Sequence, residues 1–479
     1  MRTAKMSLMV SVSGIRGIVG ESLTPDVLLT YTQAFATWLY EQKSNGTIDL
    51  KVGVPKVVIG RDTRPTGRPI LDFVQSILVQ SGCMVVNLDV ATTPTVEVAV
   101  LEEQADGGII VSASHNPLEW NALKLLNHLG EFLTAAQGEE VKKIATSRKF
   151  VCAPWNKFGV AVPNTTYADV HIQKVLALPV IEPAKIAARR YKILVDAVNG
   201  AGSEIIPKLC ERLGAAEVIK IACAGNGLFP RPPEPIEENL VEVQGLTAYH
   251  GADVGIVVDP DVDRVCFICE DGSLFGEEYT LVACADFYLK HKKGAVVNNL
   301  SSSLALREVA ARHGVPCYSA KVGEANVIEL MKRVQASIGG EGNGGVILPD
   351  VHYGRDALVA IALFLQAFAD YQASNPQKKL SDFKRTFPQY YMLKQKLSYK
   401  DGLDLNDTLT KLLRVYPTAK VITEDGLKLE LEQAWIHLRK SNTEPLVRLY
   451  AEARTKAEAE TMVEVCHKAL QDTLGRVDK

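Results

Sequence analysis

The chain contains short runs of apolar, mostly β-branched residues, and each run ends in a polar loop. The runs and their loops are Lys56–Gly60 before Arg61–Arg64, Gly108–Val111 before Ser112–Pro117, Tyr191–Val195 before Asp196–Gly200, and Val254–Val258 before Asp259. Apolar runs without polar alternation are typical of strands that are buried on both faces. We therefore expect these strands to lie between layers of helices.

Segments with helical spacing of apolar residues lie between the runs. They cover residues 24–40, 70–81, 136–147, 204–213 and 357–371. The first should begin with Thr24 as its capping residue and Pro25 in its first turn. Alternation of strands and helices predicts α/β layers with polar groups at the carboxyl ends of the strands.

The last roughly 90 residues show a different pattern, which suggests a smaller domain of its own. Strands are predicted at Gln389–Tyr399, Val421–Glu432 and Ala434–Leu438, followed by a long helix over Thr455–Leu474. This pattern indicates an α+β domain joined near Ser374–Lys379.

Composition narrows the class of protein. The 479 residues suggest about three domains, and 53 Lys and Arg against 56 Asp and Glu exclude nucleic-acid binding through bulk positive charge. The most apolar stretch, Ala357–Leu365, is too short to span a membrane. Nine scattered Cys fit reduced thiols in a cytoplasm, and we expect Cys266 and Cys269 to be buried thiols.

The first candidate site is the acidic segment Asp259-Pro260-Asp261-Val262-Asp263-Arg264. Carboxylates at alternate positions of an extended segment point the same way and can bind one hard divalent cation. Three alternatives remain: a calcium loop completed by Glu270, a phosphatase nucleophile, and a solvated acidic turn. The calcium loop is disfavoured because Arg264 stands where that motif requires Gly.

The second candidate site is Ser114, which follows an apolar strand at the end where α/β folds carry reactive groups. The third is the segment Gly339–Gly345, whose glycines permit close approach of a ligand and whose Glu341 and Asn343 suit sugar hydroxyls. A capping turn and a flexible loop are the respective alternatives.

The fourth candidate site is the turn Arg439–Pro445 together with Arg448. Arginine guanidinium groups and hydroxyls in one turn suit a phosphate dianion. A solvated charged turn is the alternative here.

Taken together and in this order, the four segments resemble the α-D-phosphohexomutase superfamily, in particular its phosphoglucosamine mutases. Supporting fragments are Ser13–Gly17, Gly60–Arg64, Asp196–Gly202 and Lys321–Gly323. The resemblance covers nearly the whole chain. It implies an α/β protein with four domains around a central cleft: three related α/β mixed-sheet domains and a smaller C-terminal α+β domain. We place these domains at residues 1–160, 161–272, 273–380 and 381–479.

The resemblance also implies a reaction, the interconversion of hexose 6-phosphate and 1-phosphate through a phosphoserine and a hexose 1,6-bisphosphate. Ser114 would carry the phosphoryl group, and Asp259, Asp261 and Asp263 would bind one Mg²⁺ together with it. The residues that would contact substrate are Arg264, Glu341, Asn343, Arg439, Ser441, Asn442, Thr443 and Arg448. A cytoplasmic monomer or homodimer acting on sugar phosphates, without nucleic-acid or membrane partners, would follow.

The acid and base are less well defined by the resemblance. Lys124 matches a position that assists proton transfer, Arg16 matches an arginine near the phosphoserine, and His115 adjoins Ser114. Some relatives carry a His where this chain has Gly345, and His352 is a candidate substitute. A sugar phosphatase, a phosphomannomutase or phosphoglucomutase, and a binding protein without turnover remain as alternative functions.

Overall fold

A computed structural model describes residues 8–11, 14–46, 53–398, 405–440 and 446–474. The chain forms two compact units. The first comprises Met1–Thr280 and Asn343–Lys384, and the second comprises Leu281–Gly342 and Arg385–Lys479.

The first unit begins with a seven-stranded mixed sheet in the order β1-β2-β6-β5-β3-β4-β7. Its elements are β1 (Met9–Ser11), β2 (Gly14–Ile18), α1 (Pro25–Ser44), β3 (Lys56–Arg61), α2 (Gly67–Gln80), β4 (Met84–Val90), α3 (Thr93–Glu102), β5 (Gly107–Val111), β6 (Trp120–Leu126), α4 (Ala135–Ser147) and β7 (Ala161–Pro163). Strands β5, β3, β4 and β7 pair in parallel, whereas β2, β6 and β5 pair antiparallel. The parallel arrangement places the loops after β3 and β5 at the same edge.

A second sheet of the first unit has the order β11-β10-β8-β9. The elements of this region are α5 (Tyr167–Leu176), α6 (Pro183–Ala187), β8 (Lys192–Asp196), α7 (Gly202–Arg212), β9 (Glu217–Ile221), α8 (Glu237–Tyr249), β10 (Val254–Val258) and β11 (Val265–Cys269). Every residue of β10 and β11 is buried, as expected for strands between two layers. Cys266 and Cys269 are buried free thiols, as predicted.

The chain then passes through the second unit and returns. The elements in order are α9 (Glu277–His291), β12 (Val296–Asn299), α10 (Ala305–Arg312), β13 (Cys317–Ala320), α11 (Glu324–Val334) and β14 (Ile338–Glu341), followed by β15 (Gly345–Ile347), α12 (Ala357–Ser374) and α13 (Leu380–Lys384). Strand β12 pairs in parallel with β13 and with β14.

The C-terminal part of the second unit is an antiparallel sheet in the order β16-β20-β19-β18-β17. Its elements are β16 (Tyr391–Ser398), α14 (Leu405–Val415), β17 (Lys420–Ile422), β18 (Leu427–Glu430), β19 (Trp435–Lys440), β20 (Leu446–Ala453) and α15 (Lys456–Leu474). The prediction of one strand over Val421–Glu432 was wrong. The chain reverses between β17 and β18, where Gly426 has a φ of 85° that few other residues tolerate.

The helix α12 is largely buried in the first unit. Its Phe364 ring stacks on Phe267 of β11 with ring centroids 3.6 Å apart. This 18-residue helix is long and apolar enough to cross a membrane by length and composition, but 72% of it is buried inside the fold. The apolar segment is therefore longer than the nine residues considered from sequence, and a buried core helix passes the same test of length and hydropathy.

The start of α1 agrees with the sequence in position and differs in detail. Thr24 is the N-cap residue and Pro25 stands in the first turn, but the Thr24 side chain makes no capping hydrogen bond. Its backbone oxygen accepts from the Leu28 N–H. The proline, which fixes the local φ, is the feature of this sequence that marks the helix start.

Candidate functional site

The loop after β5 holds Ser114 in a specific backbone conformation. Ser114 has a φ of 49°, in the left-handed region, and is 3% exposed. The Ser112 hydroxyl accepts from the Ser114 N–H at 3.0 Å and donates to Asp62 at 2.7 Å. A non-glycine residue in this region needs such support, and positions of this kind often occur at functional sites.

Arg64, in the loop after β3, is the principal support of the serine loop. Its guanidinium is fully buried and donates to the backbone oxygens of Ser114 at 2.7 Å, Asn116 at 2.6 Å and Pro117 at 2.6 Å. Its Nε faces Asp62 at 3.1 Å. The fragment Gly60–Arg64, noticed in the sequence without an assigned role, therefore fixes the serine loop.

The three aspartates after β10 form a buried cluster. Asp259, Asp261 and Asp263 are each 0% exposed, and one carboxylate oxygen from each lies within 4.8 Å of the others. The prediction of an extended segment was wrong, because residues 259–264 form a turn in which Val262 has a φ of 65°. The turn, and not strand alternation, brings the carboxylates together.

Side chains from elsewhere in the first unit hold two of these carboxylates. Asp261 accepts from Lys124 at 2.5 Å and from the Thr93 hydroxyl at 2.7 Å, and its backbone oxygen accepts from the Thr93 N–H at 2.8 Å. Asp263 accepts from Arg355 at 2.7 Å. These contacts join four separate stretches of the chain at the acidic turn.

The serine loop and the acidic turn meet directly. The Ser114 hydroxyl donates to Asp259 Oδ2 at 2.8 Å. Burial, with Asp263 and Asp261 adding to it, raises the pKa of Asp259 well above its ordinary value. Burial also opposes ionisation of Asp261, but the Lys124 charge and the hydrogen bonds from Lys124, Thr93 and Asp259 together outweigh burial and lower the pKa of Asp261. The ionised form of Asp259 is thus unfavourable beside the other two carboxylates unless a further positive charge joins them.

The aspartate cluster fits a hard divalent cation. Among the described residues, Asp261 Oδ1 and Asp263 Oδ1 are buried carboxylate oxygens without a hydrogen-bond partner. Buried oxygens of this kind are costly unless a cation or a donor satisfies them. A donor set made only of oxygens suits Mg²⁺ or Ca²⁺ better than a transition metal.

The calcium-loop interpretation of this turn was wrong. Strands β10 and β11 flank the turn, whereas that motif requires helices. Glu270, the required twelfth ligand, instead accepts from the Ser381 hydroxyl at 2.6 Å and the Ser381 N–H at 3.1 Å.

Two of the three acid–base candidates, His115 and Arg16, contact the serine loop, whereas Lys124 contacts the acidic turn. His115 Nδ1 is 3.3 Å from Ser114 Oγ, and Arg16 donates to Asn116 at 2.6 Å. Burial, followed by the charges of Arg264 and Arg16, lowers the pKa of His115 well below its ordinary value. The structure therefore places a neutral imidazole beside the serine hydroxyl.

Two further predicted residues flank this centre within the first unit. Arg264 Nε lies 3.6 Å from Asp263, and Arg264 Nη1 lies 3.5 Å from Glu234. Asn343 Oδ1 accepts from the Gly345 N–H at 3.3 Å. His352, the proposed substitute for a sugar-contacting histidine, is 3% exposed and bonded to Asp356 at 3.1 Å, so that prediction was wrong.

The second unit holds the remaining predicted residues that the structure describes. Glu341 is 3% exposed and accepts from Asn299 at 2.9 Å and from the Gly323 N–H at 3.1 Å. The adjacent Val322 N–H donates to Asp425 at 2.8 Å. The predicted sugar loop is therefore ordered by contacts to the loop after β13.

Asp425 also holds the start of the predicted phosphate turn. Arg439 Nε lies 3.0 Å from Asp425 Oδ2, and Arg439 stands opposite Arg448 in the β19–β20 pair. Ser441, Asn442 and Thr443 lie outside the described residues. The two arginines of this prediction are thus brought together on one antiparallel pair.

Sequence reasoning gave no role to two residues that touch the acidic turn, Thr93 and Arg355. Each lies far from the aspartates along the chain, so no local spacing connects it with them. A signal existed only for the neighbouring loop, where a Cβ on Gly200 would lie 2.6 Å from Pro260. Glycine in the segment Asn199–Gly202 therefore leaves room for the close approach of the acidic turn.

Comparisons with known proteins agree with this geometry. Residues 8–151, 169–272 and 276–391 match the phosphoglucomutase/phosphomannomutase alpha/beta/alpha domains I, II and III, and residues 394–467 match the C-terminal domain. A Thermococcus kodakarensis protein named phosphoglucomutase/phosphomannomutase is 34% identical, with 96% of this chain and 98% of that protein covered. A Pyrococcus abyssi protein named a probable phosphoglucosamine mutase is 32% identical, with 97% and 98% covered.

Solved structures share the fold. A phosphoglucomutase/phosphomannomutase family protein from Burkholderia thailandensis superposes with a TM-score of 0.81 at 24% identity, covering 98% of this chain and 99% of that chain. An Aspergillus fumigatus N-acetylphosphoglucosamine mutase, in complex with GlcNAc-6P and magnesium, has a TM-score of 0.59 at 14% identity and covers 98% and 97%.

Proposed function

We propose that this chain, which belongs to the phosphoglucomutase/phosphomannomutase family of sugar-phosphate isomerases, interconverts hexosamine 6-phosphate and 1-phosphate through a phosphorylated Ser114. Membership establishes the enzyme class, a phosphohexomutase. The phosphoserine, the bisphosphorylated sugar intermediate, the cation, the particular sugar and the four domain boundaries given above are our proposal.

One observation carries the chemical part of the proposal. Ser114, in a left-handed conformation that the protein supports, directs its hydroxyl at a buried carboxylate 2.8 Å away. A phosphoryl group on Ser114 would add roughly two negative charges to this cluster. That arrangement is favourable only if a cation joins the two, which explains why a reactive hydroxyl and three carboxylates share one place.

The residues that would bind Mg²⁺ are Asp259, Asp261 and Asp263, together with the Ser114 oxygens. A bound cation would stabilise the charge that spreads over the transferring phosphoryl oxygens. Two cationic side chains orient the proposed metal ligands. Lys124 and Arg355 hold Asp261 and Asp263 in place through short hydrogen bonds, so that the carboxylates are oriented before a ligand arrives.

Proton transfer is assigned by position. As the phosphoryl group leaves Ser114 Oγ for a sugar hydroxyl, that hydroxyl must lose a proton and Oγ must gain one. His115 Nδ1 faces Ser114 Oγ at 3.3 Å and is neutral, so it can accept the Oγ proton when the serine hydroxyl takes up a phosphoryl group, and the imidazolium formed can return that proton when the phosphoryl group leaves. Lys124 is engaged by Asp261 and is better placed to balance charge, while Arg16 orders the loop through Asn116.

The residues proposed to contact substrate have two kinds of role. Glu341 would accept hydrogen bonds from sugar hydroxyls, with Arg264 and Asn343 as further substrate contacts. Arg439 and Arg448, with residues 441–443, would bind the phosphate that does not react. A clamp on the distant phosphate lets the sugar be held in either orientation.

The choice of glucosamine phosphate is supported by the loop Gly340–Gly345 and by the Pyrococcus abyssi relative. A coupled assay with glucosamine, glucose and mannose 6-phosphates tests it, and we expect the highest kcat/KM for the glucosamine compound. Ser114→Ala should abolish conversion of every substrate. Release of free phosphate at the rate of isomerisation would instead identify a sugar phosphatase.

A further inference from the structure

Behind the acidic turn, the first unit contains a buried cluster that the proposed reaction does not use. We call it the histidine clasp and define it by Glu97, Thr95, His171, His352 and Asp356. His171 and Asp356 are 0% exposed and His352 is 3% exposed. The nearest ring and carboxylate atoms of the two histidines and Asp356 lie within 4.8 Å of one another. The cluster connects helices α3 and α5 to the start of α12.

A chain of hydrogen bonds runs through His171. The Thr95 hydroxyl lies 2.6 Å from the Thr92 hydroxyl and 3.0 Å from His171 Nδ1, and His171 Nε2 lies 2.8 Å from Asp356 Oδ2. Both ring nitrogens of His171 therefore have a hydrogen-bond partner within the cluster.

His352 bridges two carboxylates in the same cluster. Its Nε2 lies 3.1 Å from Asp356 Oδ2 and its Nδ1 lies 3.3 Å from Glu97 Oε2. Asp356 Oδ1 accepts from the N–H groups of Leu358 and Val359, which caps α12. The clasp therefore fixes the first turn of α12 against α3.

Residues next to the clasp, at the start of α3 and before α12, contact the acidic turn. Thr93, next to Thr92, contacts Asp261 through its hydroxyl and its N–H. Arg355, next to Asp356, contacts Asp263 at 2.7 Å, and the Ala357 N–H donates to the Val262 oxygen at 3.3 Å. A shift of either segment would move Thr93 or Arg355, which are hydrogen-bond partners of predicted metal ligands.

We propose that the histidine clasp is a positioning device for the cation site, since it holds Thr93 and Arg355 against Asp261 and Asp263. His171, His352 and Thr95 are then positioning residues that touch neither substrate nor cation. The inference rests on the proposed function only in taking the aspartates as the cation site. A transition-metal ion bound by the two imidazoles is the competing interpretation. It is disfavoured because the ring centroids lie 6.2 Å apart and both Nε2 atoms already contact the same oxygen, Asp356 Oδ2.

Direct Mn²⁺ binding to the full-length protein, measured by calorimetry or electron paramagnetic resonance without substrate, tests the proposal. Outer partners of a metal site typically contribute about 10–100-fold to metal affinity. We expect His352→Gln and the near-isosteric Thr95→Val to weaken Mn²⁺ binding by about tenfold, with a higher Mg²⁺ requirement for turnover and a smaller change in kcat at saturating Mg²⁺. Circular dichroism identifies a variant that has failed to fold. If His352→Gln does not fold, Thr95→Val alone tests the proposal.

A matched control lies in the second unit. His313→Gln breaks another histidine–aspartate contact, His313 Nε2 to Asp286 Oδ1 at 2.9 Å, and should leave Mn²⁺ affinity unchanged. Unaltered Mn²⁺ affinity in folded His352→Gln and Thr95→Val, while Asp261→Asn loses binding, would overturn the clasp and leave the proposed function intact. No Mn²⁺ binding by the unmodified protein would overturn both. One tightly held zinc ion per chain that His171→Gln removes would show the clasp to be a metal site.

Discussion

At the scale of single residues, the site is built from buried charges that are each held by a specific partner. Arg64 and Asp62 are both 0% exposed, and together they determine the conformation of the serine loop. Removing one member of a buried pair leaves an uncompensated charge, which costs far more than the pair contributes. Single substitutions here should therefore have large effects.

Arg64→Met is the first test of this view. We expect it to lower the free energy of unfolding by about 3–5 kcal/mol, because Asp62 would remain buried and unpaired. Urea denaturation measures the change. Arg68→Met is the control, since the Arg68–Asp72 pair is largely exposed at 61% and 50% and should contribute nothing measurable. Equal stabilities of the two variants would contradict the role given to Arg64.

The charge on His352 gives a pH-dependent prediction. Burial opposes the charge, but Asp356 and Glu97 outweigh it and raise the pKa of His352 from 6.5 to about 10. The protonated His352 therefore stabilises the fold fully below pH 6.5, and this stabilisation is lost as the pH rises through about 10. The stability difference between the natural protein and His352→Gln should thus shrink steadily from pH 6.5 to pH 10 in urea titrations. A difference that stays constant would refute a charged His352.

At the scale of elements, four apolar runs located β3, β5, β8 and β10 within about one residue, because burial on both faces leaves a strong local pattern. The turn at 259–264 could not be predicted in the same way. The left-handed Val262 depends on contacts that arrive from α12, and no nearby residue encodes it. The glycines of the third segment were recognised, but their packing role became clear only from the structure.

Gly344→Ala tests that packing role. Gly344 has a φ of 91°, and a Cβ there would lie 2.4 Å from the Val265 oxygen. We expect a loss of at least about 1–3 kcal/mol in the free energy of unfolding. Gly245→Ala, in the open middle of α8 with nothing within 4 Å of its Cβ, should instead stabilise the protein by about 0.4–1 kcal/mol. Thermal and urea unfolding of both variants give the comparison.

At the scale of the whole molecule, the order of the four candidate segments along the chain carried most of the functional information. Those segments led to the reaction class and to Ser114 and the three aspartates as a connected set. The contacts of Thr93, Arg355 and the histidine clasp could not be predicted, because they join segments up to 185 residues apart. Long-range pairing of this kind leaves no periodicity in a single sequence.

Cation binding at the proposed site should increase the stability of the folded chain. A ligand that binds only the folded state stabilises it by an amount that grows with concentration. We expect Mg²⁺ to raise the Tm of the natural protein progressively over the millimolar range, and Asp263→Asn to remove most of this dependence. Na⁺ at matched ionic strength is the control, and an equal response to both ions would argue against a specific site.

Mass spectrometry of the peptide that contains Ser114 shows whether this serine carries the transferred phosphoryl group. After incubation with a hexose 1,6-bisphosphate, we expect an added mass of about 80 Da on that peptide. We also expect this mass to disappear when hexose monophosphate is added, without release of free phosphate. A peptide that never gains the mass, in a preparation that isomerises sugar phosphates at its full rate, would rule out a phosphorylated Ser114.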